Sequence, residues 1–161
     1  MKLRLLIWAS VLALVLDQLS KYVVIHAMGL ARVLNIEVLP PLLTFRYGEN
    51  RGINFGLFGD GSDAQRWILI GLSCVVAVAV AIWIVRSSAT PVMQIAAGLL
   101  IGGALGNAID RLLYGYVLDF LNMSCCGIDN PFVFNVADIF IFAGAIGLVF
   151  LDSRRNSEKS R

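Results

Sequence analysis

The sequence predicts an all-α membrane protein, a four-helix transmembrane bundle with a small β-rich extracytoplasmic segment. Three observations point there. Hydrophobic residues make up 58% of the 161-residue chain and charged residues 15%, with a mean hydropathy of +0.80. Four apolar runs each approach the ~20 residues that a helix needs to cross a hydrocarbon core. Basic residues gather at one set of run ends. One domain, 1–161, is expected at this length. The net charge of +2 is small and dispersed, so a nucleic-acid partner is not expected.

The first run, 5–25, follows Lys2 and Arg4 and carries Asp17 and Lys21 in its second half. Those charges, and the lack of a small-residue cleavage site, favour a retained span over a cleaved signal peptide. Asp17 and Lys21 are four apart, acid before base, the better order for a helical ion pair. Segment 26–66 follows. "RVLNIEVLPPLLTFRYGENRG" is rich in β-branched and aromatic residues around Pro40-Pro41, and predicts two short strands about a turn at the membrane surface. "SDAQ" (62–65) fits a capping box at the start of the second span, 67–85. Thr90-Pro91 reads as a cap and first-turn proline opening the third span, 92–113. Gly98, Gly102 and Gly106 form a stripe suited to close helix packing. Segment 114–131 leads to the fourth span, 132–151, and residues 153–161 read as a disordered polar tail.

Lys2, Arg4, Arg86, Arg154, Arg155, Lys159 and Arg161 all fall on one side, which assigns both termini to the cytoplasm and segments 26–66 and 114–131 to the outer face. Three cysteines and a single histidine, His26, offer neither a disulfide framework nor a zinc site. No metal and no cofactor are expected.

Ionisable residues in apolar spans are costly and mark function by default. Asn107, Asp110 and Arg111 share a face at the outer end of the third span, where Asp110 and Arg111 suggest a helix-end ion pair. Asp119 sits in the apolar stretch "GYVLDFLN", and Asp138 lies one turn after Asn135 in the fourth span. The 19-position separation of the two aspartates allows them to meet. Two carboxyls brought together out of water share one proton. The ionised member can then take a proton from water while the other donates to a carbonyl oxygen. Spacing alone leaves open a peptide-hydrolysing dyad and a proton relay in a small transporter. His26 without a serine elbow or a His-Glu-x-x-His pair argues against serine and zinc protease chemistry.

"LDQLSK" (16–21), "ENRGINFGLF" (49–58), "GGALGNAIDRLLYGYVLDFL" (102–121) and "FNVADIFIFAG" (134–144), in this order, resemble the lipoprotein signal peptidases, signal peptidase II, which are bacterial membrane aspartyl proteases. The resemblance covers nearly the whole chain. It implies Asp119 and Asp138 as catalytic dyad, with Asn50, Gly52, Asn107, Arg111 and Asn135 around the site and Asp17 and Lys21 in support. It implies a multi-pass inner-membrane enzyme with its site at the outer face, and a substrate prolipoprotein cut before a diacylglyceryl-modified cysteine. Membrane lipids are the other expected partner, and a monomer the expected state. The strand-like segment 31–48 and loop 49–62, with Phe45 and Phe55, are expected to cover the cleft. Ile53, Asn54 and Gly56 depart from many relatives, and Cys125 and Cys126 receive no role.

Overall fold

A computed structural model describes residues 3–52, 63–87, 89–125, 127 and 129–159, with side chains as far as Ser153. The order is helix α1 (Arg4–Lys21), which continues as a π-helical segment (Tyr22–Ala27); a short helix α2 (Leu30–Val33); strands β1 (Asn35–Leu39) and β2 (Leu43–Asn50); helices α3 (Asp63–Arg86) and α4 (Pro91–Tyr114); strand β3 (Val117–Met123); and helix α5 (Val136–Lys159). Among the described residues four helices are long and apolar enough to span a bilayer, as the sequence predicts.

α4 is the centre of the bundle. Two thirds of its apolar window is buried (67%), against 28% for the first span and 17% for α3 and for the fourth. The other three therefore turn most of their apolar side chains outward, as helices in lipid do. α3 meets α4 along a narrow stripe, Ile70, Ala77 and Ile84, spaced at seven. The glycine stripe explains how α1 comes so near. A Cβ on Gly98 would lie 2.6 Å from Ala9 Cβ, one on Gly102 would collide with Ser10 O, and one on Gly106 would lie 2.5 Å from Asp17 Oδ2. Packing alone accounts for the first two. Gly106 additionally makes room for a carboxylate.

Thr90 caps α4 as expected: its Oγ1 accepts the Met93 N–H at 3.3 Å, with Pro91 in the first turn. Gly115, in the left-handed region at φ 87°, ends the helix and turns the chain into β3. The strands form one antiparallel sheet in the order β1-β2-β3. β1 and β2 match the expected pair about Pro40-Pro41, though residues 31–33 belong to α2 rather than to a strand. β3 adds a strand that the sequence reading treats only as an apolar stretch. It is covered on both faces, so it lacks the alternation that announces a half-exposed strand.

Two further expectations change. The fourth span begins at Val136 rather than at 132, because Phe134 pairs with Leu121 and Asn135 caps the helix. The helix also continues through Lys159, across most of the tail expected to be disordered. Arg, Glu and Lys are good helix formers, and extending a nucleated helix is easy. Ser62 and residues 53–61, including Phe55, lie outside the described residues. Phe45 is half-buried and packs edge-on against Phe120, centroids 5.7 Å apart, in the cluster formed with Val24, Ile25, Leu30 and Leu118.

Candidate active site

Asp119 comes from β3, opposite Gly48 of β2, and is 3% exposed. Its Oδ1 accepts the Asn135 Nδ2–H at 2.6 Å, and its Oδ2 accepts the Asn50 Nδ2–H at 3.0 Å. Asn50 is in turn fixed by an Asx turn, in which its Oδ1 accepts the Gly52 N–H at 3.0 Å. Gly52 adopts φ 98°, which glycine tolerates, and a Cβ there would lie 2.5 Å from Leu69 Cδ1 on α3. These two residues thus seat the end of β2 against both Asp119 and α3.

Asp138 lies in the first turn of α5 for a local reason. Asn135 Oδ1 accepts the Asp138 N–H at 3.0 Å, and Asp138 Oδ2 accepts the Asn135 N–H at 3.1 Å. This reciprocal pair is a capping box with Asn and Asp in its two positions. The other Asp138 oxygen accepts the Asn107 Nδ2–H at 3.0 Å. Asn107 Oδ1 then accepts from Asn135 Nδ2 at 3.2 Å and from Lys21 Nζ at 3.4 Å.

One residue, Asn135, therefore touches both aspartates. Asn50, Gly52, Asn107, Asn135, Asp119 and Asp138 form one hydrogen-bonded group drawn from β2, α4, β3 and the start of α5. Burial is the first cause that pushes the Asp119 carboxyl up to about 7, and the nearby Asp138 charge adds to it. The Asn50 and Asn135 donors oppose it. Arg111 donates to the Asn107 carbonyl at 3.3 Å, and among the described residues it pairs with no carboxylate.

Asp17 and Lys21 pair at 2.8 Å, as their spacing predicts. The partner expected for Asp110 was wrong. Asp110 pairs not with Arg111 but with Lys21, at 2.7 Å, and is fully buried. On α4 it points inward with Asn107, three residues earlier, and that shared face was the available signal. Gln18, within "LDQLSK", joins the group by donating to Asp110 Oδ1 at 2.9 Å. Spacing does not single out Gln18, and its one signal is its place between Asp17 and Lys21 in a stretch that carries the family resemblance.

Comparison with known proteins agrees with this geometry. Residues 9–153 match the family model described as Signal peptidase (SPase) II. The chain is 40% identical to a lipoprotein signal peptidase of Alteromonas mediterranea, over 95% of this chain and 82% of that one. It is 40% identical to one of Caulobacter vibrioides (92% and 86%) and 42% identical to one of Methylobacterium radiotolerans (90% and 82%). Two solved bacterial membrane enzyme structures, obtained by the in meso method at 2.3 and 1.9 Å, superpose with TM-scores of 0.75 and 0.77. Their identities are 29% and 28%, with 96% and 91% of this chain and 90% of each of theirs covered. Sequence, fold and neighbours converge, and the chain belongs to the signal peptidase II family.

Proposed function

We propose that this chain, a signal peptidase II and hence a protease that removes signal peptides from prolipoproteins, works as an aspartyl endopeptidase with Asp119 and Asp138 as its dyad. The observation that carries the reading is the Asn135 bridge, which touches both carboxyls at once. A buried and a half-buried acid held by amide donors, with a guanidinium beside them that pairs with no carboxylate among the described residues, are arranged for acid–base work on a peptide bond.

In this reading Asp119 holds the shared proton near neutral pH and Asp138 acts as base. Asp138 takes a proton from water as the oxygen attacks the scissile carbonyl. Asp119 gives its proton to the carbonyl oxygen. As the tetrahedral intermediate collapses, Asp138 passes its new proton to the leaving amine and Asp119 recovers one from the hydroxyl. The products are a new carboxyl group on the signal peptide and a free amine on the lipid-modified cysteine. Asn50, Gly52, Asn107 and Asn135 hold the acids, and Arg111 is available to a substrate carbonyl. Asp17 and Lys21 support from below.

Charge asymmetry supports cytoplasmic termini and a site at the outer face of an inner membrane, where a diacylglyceryl anchor keeps the scissile bond near the interface. A monomer contains every residue named. The proton-coupled transporter has no support among the relatives, which are peptidases. The test is cleavage of a synthetic diacylglyceryl precursor by purified protein in excess chelator. Cleavage before the modified cysteine is expected, and complete loss of activity in chelator overturns the metal-free dyad.

A further inference from the structure

Lys21 Nζ lies 2.8 Å from Asp17 Oδ2 and 2.7 Å from Asp110 Oδ2. All three residues are buried, at 3%, 0% and 0% exposure. Each carboxylate also accepts one backbone N–H from another element. Asp17 Oδ1 takes that of Ala137 at 2.9 Å, and Asp110 Oδ2 takes that of Leu118 at 3.0 Å. Ala137 immediately precedes Asp138, and Leu118 immediately precedes Asp119. A single ammonium group thus connects, through two carboxylates, to the peptide unit in front of each dyad member.

Stability is a poor explanation for this trio. Buried ion pairs seldom stabilise more than apolar packing of the same volume. What an ionic trio supplies is direction and distance. β3 and the start of α5 are also tied at Leu121 and Phe134, whose backbones exchange hydrogen bonds at 2.8 and 3.0 Å, and by the Asn135 side chain on Asp119 at 2.6 Å. The trio acts beside those ties, on the backbone N–H of the residue before each aspartate. Gln18 braces the same gap, donating to Asp110 Oδ1 at 2.9 Å and to Asp17 Oδ2 at 3.2 Å. Gly106 admits the Asp17 carboxylate to the α4 surface.

We infer that Lys21, with Asp17 and Asp110, is a positioning clamp that sets the separation of Asp119 and Asp138 through the backbone amides of Leu118 and Ala137. The inference rests on the aspartyl reading above. None of the three touches the reacting atoms. Among the described residues, the charged groups around the dyad are Lys21 and Asp17 from α1 and Asp110 and Arg111 from α4. Loosening the clamp changes both the aim of the two carboxyls and their mutual repulsion.

The full-length protein is tested in detergent as Lys21→Met and Asp110→Asn, with rates normalised to protein recovered in the folded size-exclusion peak. Asp110→Asn keeps an oxygen for the Leu118 N–H, removes the charge that faces Lys21 and gives up the acceptor for Gln18 Nε2. Both variants are expected to lose roughly tenfold or more in kcat, as sub-ångström misalignment does, with KM changed less than about threefold. The alkaline limb of the kcat profile should also move, because carboxyl separation sets how strongly one charge opposes the other. Lys21→Arg should restore part of kcat. Wild-type kcat and an unmoved pH profile per folded molecule in Asp110→Asn overturn the clamp. Asp119→Asn is measured alongside. If it cleaves, the dyad itself is wrong, whereas if it is inactive beside a fully active Asp110→Asn, the clamp alone fails.

Discussion

Asn135 and Asp138 close the first turn of α5 on each other, side chain to backbone in both directions, at 3.0 and 3.1 Å. The acid therefore stands at a helix start because it is half of the device that starts the helix. The other Asn135 atom, Nδ2, reaches Asp119 at 2.6 Å.

Asn135→Ala removes the cap and the bridge together. A lost cap costs about 1 kcal/mol, which lowers Tm modestly. The lost bridge frees the Asp119 carboxyl, so kcat should fall on the order of a hundredfold. Thermal unfolding and cleavage assays on one preparation separate the two effects. Thr90→Ala is the matching control: a similar loss of stability at the far end of α4, with kcat unchanged.

The pH dependence follows from Asp119. Its carboxyl is pushed from 3.8 up to about 7. Across that window the folded state keeps a proton that the unfolded chain has released. The contribution of this group to stability therefore falls as pH rises from about 4 to about 7, then levels off. Asp119→Asn should raise Tm more at pH 8 than at pH 5, while abolishing activity. Wild-type kcat/KM should decline on the alkaline side with a midpoint near 7, since the acid must hold its proton. A profile that is flat from neutral to strongly alkaline pH contradicts the assignment of Asp119 as acid.

Gly106→Ala places a Cβ 2.5 Å from Asp17 Oδ2, and the carboxylate has no flexible stem with which to retreat. It should lower both Tm and cleavage. Gly71→Ala on α3 meets nothing within 4 Å and should change neither. Equal effects at the two positions would mean that helix propensity, not the close approach, governs the stripe.

The spans were legible because lipid demands long apolar runs, and Thr90-Pro91 was legible because its capping is local. Asp17 and Lys21 sit four apart on one helix, so their pairing could be read from spacing. β3 could not, since a strand buried on both faces shows no alternation and its partner β2 lies about 70 residues away. The Lys21–Asp110 pair joins two helices 89 positions apart, and nothing local distinguishes it from a contact with adjacent Arg111. The capping role of Asp138 is half visible: the Asn-x-x-Asp spacing is there, but in an apolar helix that spacing alone shows only two polar neighbours one turn apart.

The most direct measurement is cleavage of a diacylglyceryl precursor, followed by mass spectrometry, for wild type, Asp119→Asn, Asp138→Asn and the double variant. All four proteins should insert and fold. Only the wild type should release the signal peptide, and the double variant should be no worse than either single one, as expected of residues that act as a unit. Release at the wild-type rate by either single variant would contradict the dyad.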